Sequence, residues 1–155
     1  MRKIDQLLSE YGESHQNKTN KNIHWICVPL IFFSVVALIA SIPSQSVLGD
    51  SSWLSWATVA LILVTIYYVL LSVPLAIGMA LFSLLCLFVI RGLSKQLNIP
   101  LWLVAVIIFV LAWIGQFYGH KVEGKKPSFF KDLQFLLIGP AWLMHFIYKK
   151  LGINY

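Results

Sequence analysis

The chain has 155 residues, 59% hydrophobic and 12% charged, with a mean hydropathy of +0.79. Those proportions exclude an ordinary soluble domain and fit a polytopic membrane protein, small enough to form a single integral domain over residues 1–155. The net charge of +6 reads as topology signal and contact with lipid headgroups. No nucleic-acid partner is expected, since no aromatic-basic surface module accompanies it.

Residues 2–14 place Ile4, Leu7, Leu8 and Tyr11 at i, i+3, i+4 and i+7 among charged neighbours. That spacing predicts a short amphipathic helix, on the membrane surface or against the bundle. A polar stretch from His15 to His24 follows, with Asn20 or Asn22 as the expected N-cap of the next helix. The first apolar run starts only there, so no cleavable signal peptide is expected. The first span is expected from about Ile23 to Ile42, with Pro29 near its start, and residues 41–52 form a loop without a basic residue. The second span covers Trp53 to Leu71, with Trp53 and Trp56 at one interface and Tyr67 and Tyr68 at the other. Ser72-Val73-Pro74 reverses the chain into a third span, Pro74 to Ile90, and residues 91–100 make a second turn. The fourth span, Leu101 to His120, covers roughly 30 Å as a helix. Its Gly115 and Gly119 form a GxxxG that lets another backbone approach closely. The last apolar run, Leu133 to Tyr148, is interrupted by Gly139-Pro140, so a bent or re-entrant segment fits it better than a spanning helix. Cys27 and Cys86 lie in separate runs and are expected to pack, neither ligating nor forming a disulfide. The fold class is therefore all-α: a membrane helical bundle of about four transmembrane helices, an N-terminal amphipathic helix and a bent or re-entrant C-terminal segment.

Basic residues set the orientation. Arg2, Lys3, Lys18 and Lys21 precede span one, Lys121, Lys125, Lys126 and Lys131 follow span four, and Lys149 and Lys150 lie near the end of the chain. Four crossings put these groups on one side, which the positive-inside rule makes cytoplasmic; Arg91 and Lys95 fall on the other side, against the rule. Without retention signals or long tails the expected location is a bacterial inner membrane, or the endoplasmic reticulum in a eukaryote.

The chemistry-bearing residues gather on the same side. On a helix Gln116, His120 and Glu123 stand at i, i+4 and i+7 and share one face. Such groups are costly at a membrane rim unless they serve a purpose. His15 and His24 flank the start of span one, and His145 joins them if the last segment re-enters from that side. Neutral imidazole is the commonest protein metal ligand. Mostly nitrogen ligands, a possible carboxylate and open positions suit Fe(II) for oxygen chemistry and also accommodate zinc. A single interfacial histidine is more often an anchor than a ligand, and the His15–His24 spacing matches no metal motif. The weight comes from co-location at one face. Asn20, Lys21, Gln116 and Glu123 are expected to support the site or touch substrate, although Glu123 could simply pair with a lysine.

The segments HQNKTNKNIHWICVP (15–29), WIGQFYGHKVEGKKP (113–127) and GPAWLMHFIYKKLG (139–152) resemble the small membrane family of Fe(II)-dependent 2-hydroxy fatty acid dioxygenases. The resemblance covers nearly the whole chain and is most specific at the exit from span four. It implies α-oxidation: a 2-hydroxy fatty acid and O₂ give a fatty acid one carbon shorter and CO₂, without 2-oxoglutarate. It further implies that His15, His24 and His120 hold the iron and act in catalysis, with Gln116 in support. Two departures stand out. Met144-His145-Phe146 occupies a place where an acidic residue is expected, making His145 either a substituted ligand or a bystander. Glu123 falls one residue early. The expected partners are a 2-hydroxy long-chain fatty acid, O₂ and membrane lipid.

Three other classes compete. A transporter needs polar groups at mid-depth, where spans two and three offer only Ser55, Thr58, Thr65 and Ser83. A lipid-binding scaffold would leave the histidines incidental. A haem bundle would place them within facing spans instead of at a rim.

Overall fold

The computed structural model describes residues 2–44, 54–124 and 135–155, and all regular structure in them is helical. The helices are α1 (Lys3–Gly12), α2 (Lys18–Ala40), α3 (Trp56–Leu71), α4 (Val73–Gln96), α5 (Leu101–Glu123) and α6 (Ile138–Leu151). The interface anchor expected at Trp53, the lysines at 125, 126 and 131 and the start of the last apolar run lie outside the described residues.

Capping chemistry decides where the helices begin. Asn17, not Asn20 or Asn22, caps α2: its side-chain oxygen accepts from the backbone N–H of Thr19 at 2.8 Å and of Asn20 at 3.4 Å. The helix therefore starts five residues before Ile23, which puts Asn20 and His24 on one helical face. Ser72 ends α3 and caps α4 by accepting from the N–H of Leu75 at 3.4 Å, and Pro74 sits in the first turn, where its missing N–H costs nothing. α4 continues past Ile90 to Gln96, so Arg91 and Lys95 are helical and the turn shrinks to residues 97–100. α5 runs through Glu123 and stops at Gly124, whose φ of 74° is left-handed. Gly139-Pro140 does not break the last helix. It lies in the first turn of α6, following a turn at residues 135–137.

Three helices, α2, α4 and α5, are long and apolar enough to cross a bilayer, and α3 is a shorter apolar helix of 16 residues. α4 and α5 also turn outward residues such as Phe88 and Leu111, 74% and 63% exposed, a surface that suits lipid and not water. This is a membrane protein.

Two apolar clusters fill the interior. One joins Ile4, Leu8 and Tyr11 of α1 to Trp142 of α6 and to Tyr68, Leu75 and Met79. α1 is thus docked on the bundle, and each fully buried aliphatic side chain contributes about 2 kcal/mol to that docking. Tyr68 is not a belt residue: it has no exposed surface, and its hydroxyl donates to the carbonyl of Leu137 at 2.5 Å. The other cluster packs Phe32, Val36 and Ala37 of α2 against Ala57, Leu61, Cys86 and Ala105. Cys27 and Cys86 are buried free thiols, as their sequence context implied.

The most extensive helix pair is α2 with α5. A Cβ on Gly115 would come within 2.6 Å of Cys27 Sγ, and one on Gly119 would overlap Asn20 Oδ1. The GxxxG is therefore the seam at which α5 touches α2. Asn20 cannot swing away cheaply, because its Nδ2 is hydrogen-bonded to Glu123. Gly119→Ala should accordingly destabilise the protein by about 1–3 kcal/mol despite alanine's better helix propensity. Thermal unfolding in detergent checks this, and a variant as stable as wild type would disprove the close fit.

Candidate metal centre

Three histidines from three parts of the chain meet at the rim where α2 begins and α5 ends. His15 lies in the α1–α2 loop, His24 in the second turn of α2 and His120 in the last turn of α5. Ring centroids are 4.2 Å apart for His15–His24, 5.2 Å for His24–His120 and 5.5 Å for His15–His120. One ligating nitrogen from each lies within 4.8 Å of the others, close enough for one ion to be shared. All three side chains are buried.

Their local chemistry prepares two of them for that role. His15 Nδ1 is 2.6 Å from the carbonyl of Tyr11, and His24 Nδ1 is 2.9 Å from the carbonyl of Asn20. A carbonyl only accepts, so in both rings the proton is on Nδ1 and the lone pair on Nε2. Both Nε2 atoms are buried without a hydrogen-bond partner. A buried lone pair without a partner is costly, and two of them in one cluster of histidines are what a metal would satisfy. The carbonyl behind each ring also fixes its tautomer and orientation, as hydrogen bonds behind metal-bound imidazoles do. Burial lowers the pKa of His15 to about 4, outweighing the Tyr11 carbonyl, which raises it; a positive charge on His120 would lower it further. The ring is neutral at pH 7, the state that ligates. Tyr11 stacks on it at 4.2 Å with planes 13° apart.

Glu123 is a clamp for the loop and not a member of this group. Its carboxylate accepts from the backbone N–H of Gln16 at 2.8 Å, from that of Asn17 at 2.9 Å and from Asn20 Nδ2 at 2.9 Å. Among the described residues no lysine pairs with it. Asn20 also donates to the carbonyl of Ser14 at 3.3 Å. Glu123 and Asn20 together tie the residues on either side of His15 to the end of α5. The sequence pattern did not reveal this use of the carboxylate, nor the part of Tyr11; the i, i+4 spacings of Tyr11–His15 and Asn20–His24 were the available signal.

Beneath the rings is a cavity of about 30 Å³ bordered by His24, His120, Gln116, Val28, Ile31 and Leu136. That space admits about two water-sized molecules. Gln116 is buried, and its Oε1 has no hydrogen-bond partner, so it is an acceptor waiting for a donor. Lys21 is half-buried on α2, and its charge adds to the forces keeping His15 unprotonated. His145 is not brought to the trio. α6 directs it instead to the hydroxyl of Tyr155, in a separate cleft with Asp5 and Ser9.

If Glu123 works by holding the His15 loop, Glu123→Ala should weaken metal retention by about 10- to 100-fold, the usual effect of losing a group that orients a ligand. Lys21→Ala should leave retention unchanged. Metal content measured after dialysis against graded chelator makes the comparison, and equal losses in the two variants would refute the clamp.

Over residues 1–151 the chain matches the family described as 2-hydroxy-palmitic acid dioxygenase Mpo1-like. A relative in Saccharomyces cerevisiae, named 2-hydroxy-palmitic acid dioxygenase MPO1, is 29% identical over 147 residues, which are 94% of this chain and 79% of the yeast protein. No solved structure matches. With three buried imidazoles converging at one rim of a membrane bundle and a match along nearly its whole length, this chain belongs to the Mpo1-like family.

Proposed function

We propose that the protein is an iron-dependent dioxygenase of fatty acid α-oxidation, converting a 2-hydroxy long-chain fatty acid and O₂ to the acid one carbon shorter, CO₂ and water. The observation that carries this reading is the buried cluster of His15, His24 and His120, two of whose Nε2 atoms have no hydrogen-bond partner. The dioxygenase name of the yeast relative supports the reaction class.

The donor set is three neutral nitrogens, with the nearby carboxylate committed to the loop. Such a set fits a divalent transition metal with positions to spare. When bound, Fe(II) supplies the one-electron chemistry by which O₂ reacts with a closed-shell acid. Neutral ligands leave the ion's charge uncompensated in a buried site, which favours an anionic substrate such as a carboxylate. In this reading Gln116 Oε1, buried without a partner, accepts a hydrogen bond from the substrate's 2-hydroxyl. Val28, Ile31 and Leu136 supply the apolar part of the cavity's lining. Lys18, Lys21 and Lys121 sit near the same rim and draw the carboxylate towards it. By the positive-inside rule that rim, with the N-terminus, faces the cytoplasm.

The test is anaerobic purification, iron quantification and an assay of CO₂ release from 2-hydroxyhexadecanoic acid. His120→Ala should abolish both iron retention and CO₂ release, whereas His145→Ala should leave both unchanged. Wild-type turnover by iron-free protein would overturn the reading.

A further inference from the structure

The cavity under the histidines is too small for an acyl chain, and Leu136 forms part of its wall. That residue also borders a second cavity, of about 60 Å³, between α2 and α3. Every side chain around this second space is apolar. Phe32, Val36 and Ile39 line it from α2, and Ala57, Ala60 and Val64 from α3. Ala57 and Ala60 are small where larger residues would close the gap. Apolar cavities of this kind stay dry and take apolar ligands.

The two helices run in opposite directions along it. α3 starts beside the far end of α2, where Trp56 Nε1 donates to the Pro43 carbonyl at 3.2 Å, and returns to the near end, where Tyr68 meets Leu137. Along the crevice Val64 is therefore nearest the histidine end, Ala60 farther away, and Ala57 and Ile39 farthest. From His24 to Ile39 the helix rises about 22 Å, the scale of an extended long acyl chain.

We propose that the α2–α3 crevice, widening from about 60 Å³ as Leu136 is displaced by the entering chain, is the acyl slot of this enzyme, and that residues along it measure chain length. The inference rests on the dioxygenase reading above, since it assumes that the carboxyl end of the ligand is held at the histidines. A chain in the slot would leave the leaflet without losing apolar surroundings, so its transfer costs little.

Position along the slot should decide which acids are rejected. Iron-loaded Val64→Phe, Ala60→Phe and Ile39→Trp are assayed with 2-hydroxy octanoic, dodecanoic and hexadecanoic acids, and iron content equal to wild type confirms folding. The ratio of kcat/KM for hexadecanoic over octanoic acid should fall about tenfold or more in Ala60→Phe. Ile39→Trp should shift it less, and Val64→Phe should depress even the dodecanoic acid. Chain-length profiles identical to wild type in all three would overturn the slot. A second measurement does not depend on turnover or on the variants. A 2-hydroxy acid carrying a terminal diazirine is photolysed with iron-loaded wild type, and labelled peptides are mapped. Labels between Phe32 and Ile39 and between Ala57 and Val64, displaced by unlabelled 2-hydroxyhexadecanoic acid but not by excess phospholipid, support the slot. Labels elsewhere, or equal displacement by phospholipid, defeat it. If wild type oxidises none of the acids while the labels fall in the slot, the dioxygenase reading fails and the binding site stands.

Discussion

The close approach of α5 to α2 along Gly115 and Gly119 is the constraint from which the site follows. Without side chains at those two positions, the helices come near enough for Asn20 on one to reach Glu123 on the other. That bridge closes over the α1–α2 loop and fixes His15 opposite His24 and His120. In a bilayer the hydrophobic effect does not drive helices together, so van der Waals contact and hydrogen bonds must. The α2–α5 seam has both, and they occur where the histidines are.

Charge explains the division of labour among the polar residues. A carboxylate among the imidazoles would lower the net charge of any divalent ion held there. Glu123 instead accepts from the loop N–H groups of Gln16 and Asn17 and from the Asn20 side chain on α2, acting as an architectural anion. Backbone carbonyls behind His15 and His24 settle which nitrogen carries the proton, and no ionised residue is needed for that purpose. The result is a buried group of three imidazoles that could hold a metal ion.

α1 and α6 pack on each other and close the site from one side, with Tyr11 stacked on His15 and Trp142 beside it. Gly139 allows Tyr11 to lie close, since a Cβ there would come 3.0 Å from its hydroxyl. The outward faces of α4 and α5 are left to lipid, which covers apolar surface that a soluble enzyme of this size would have to bury within itself.

By itself the sequence determined the class of the protein and supplied the candidate residues of its site. Apolar runs of helical length between polar breaks specify membrane helices wherever they occur, because only an internally hydrogen-bonded backbone is stable in lipid. The i, i+4, i+7 spacing of Gln116, His120 and Glu123 and the GxxxG beside it were likewise visible, since helix geometry converts spacing directly into a shared face. Where α2 begins was not: several asparagines could cap it, and only the packed loop selects Asn17. The split between His145 and the other histidines was also undecidable from spacing, because it depends on how α6 lies against α1 and α4. The same holds for Glu123, which sits among candidate ligands in the sequence but faces backbone N–H groups in the fold. Helical periodicity places residues on faces; which faces meet, and what each polar atom finds there, is set by contacts between segments more than a hundred residues apart, as in the pairing of Gln16 with Glu123. Only the tertiary structure decides those.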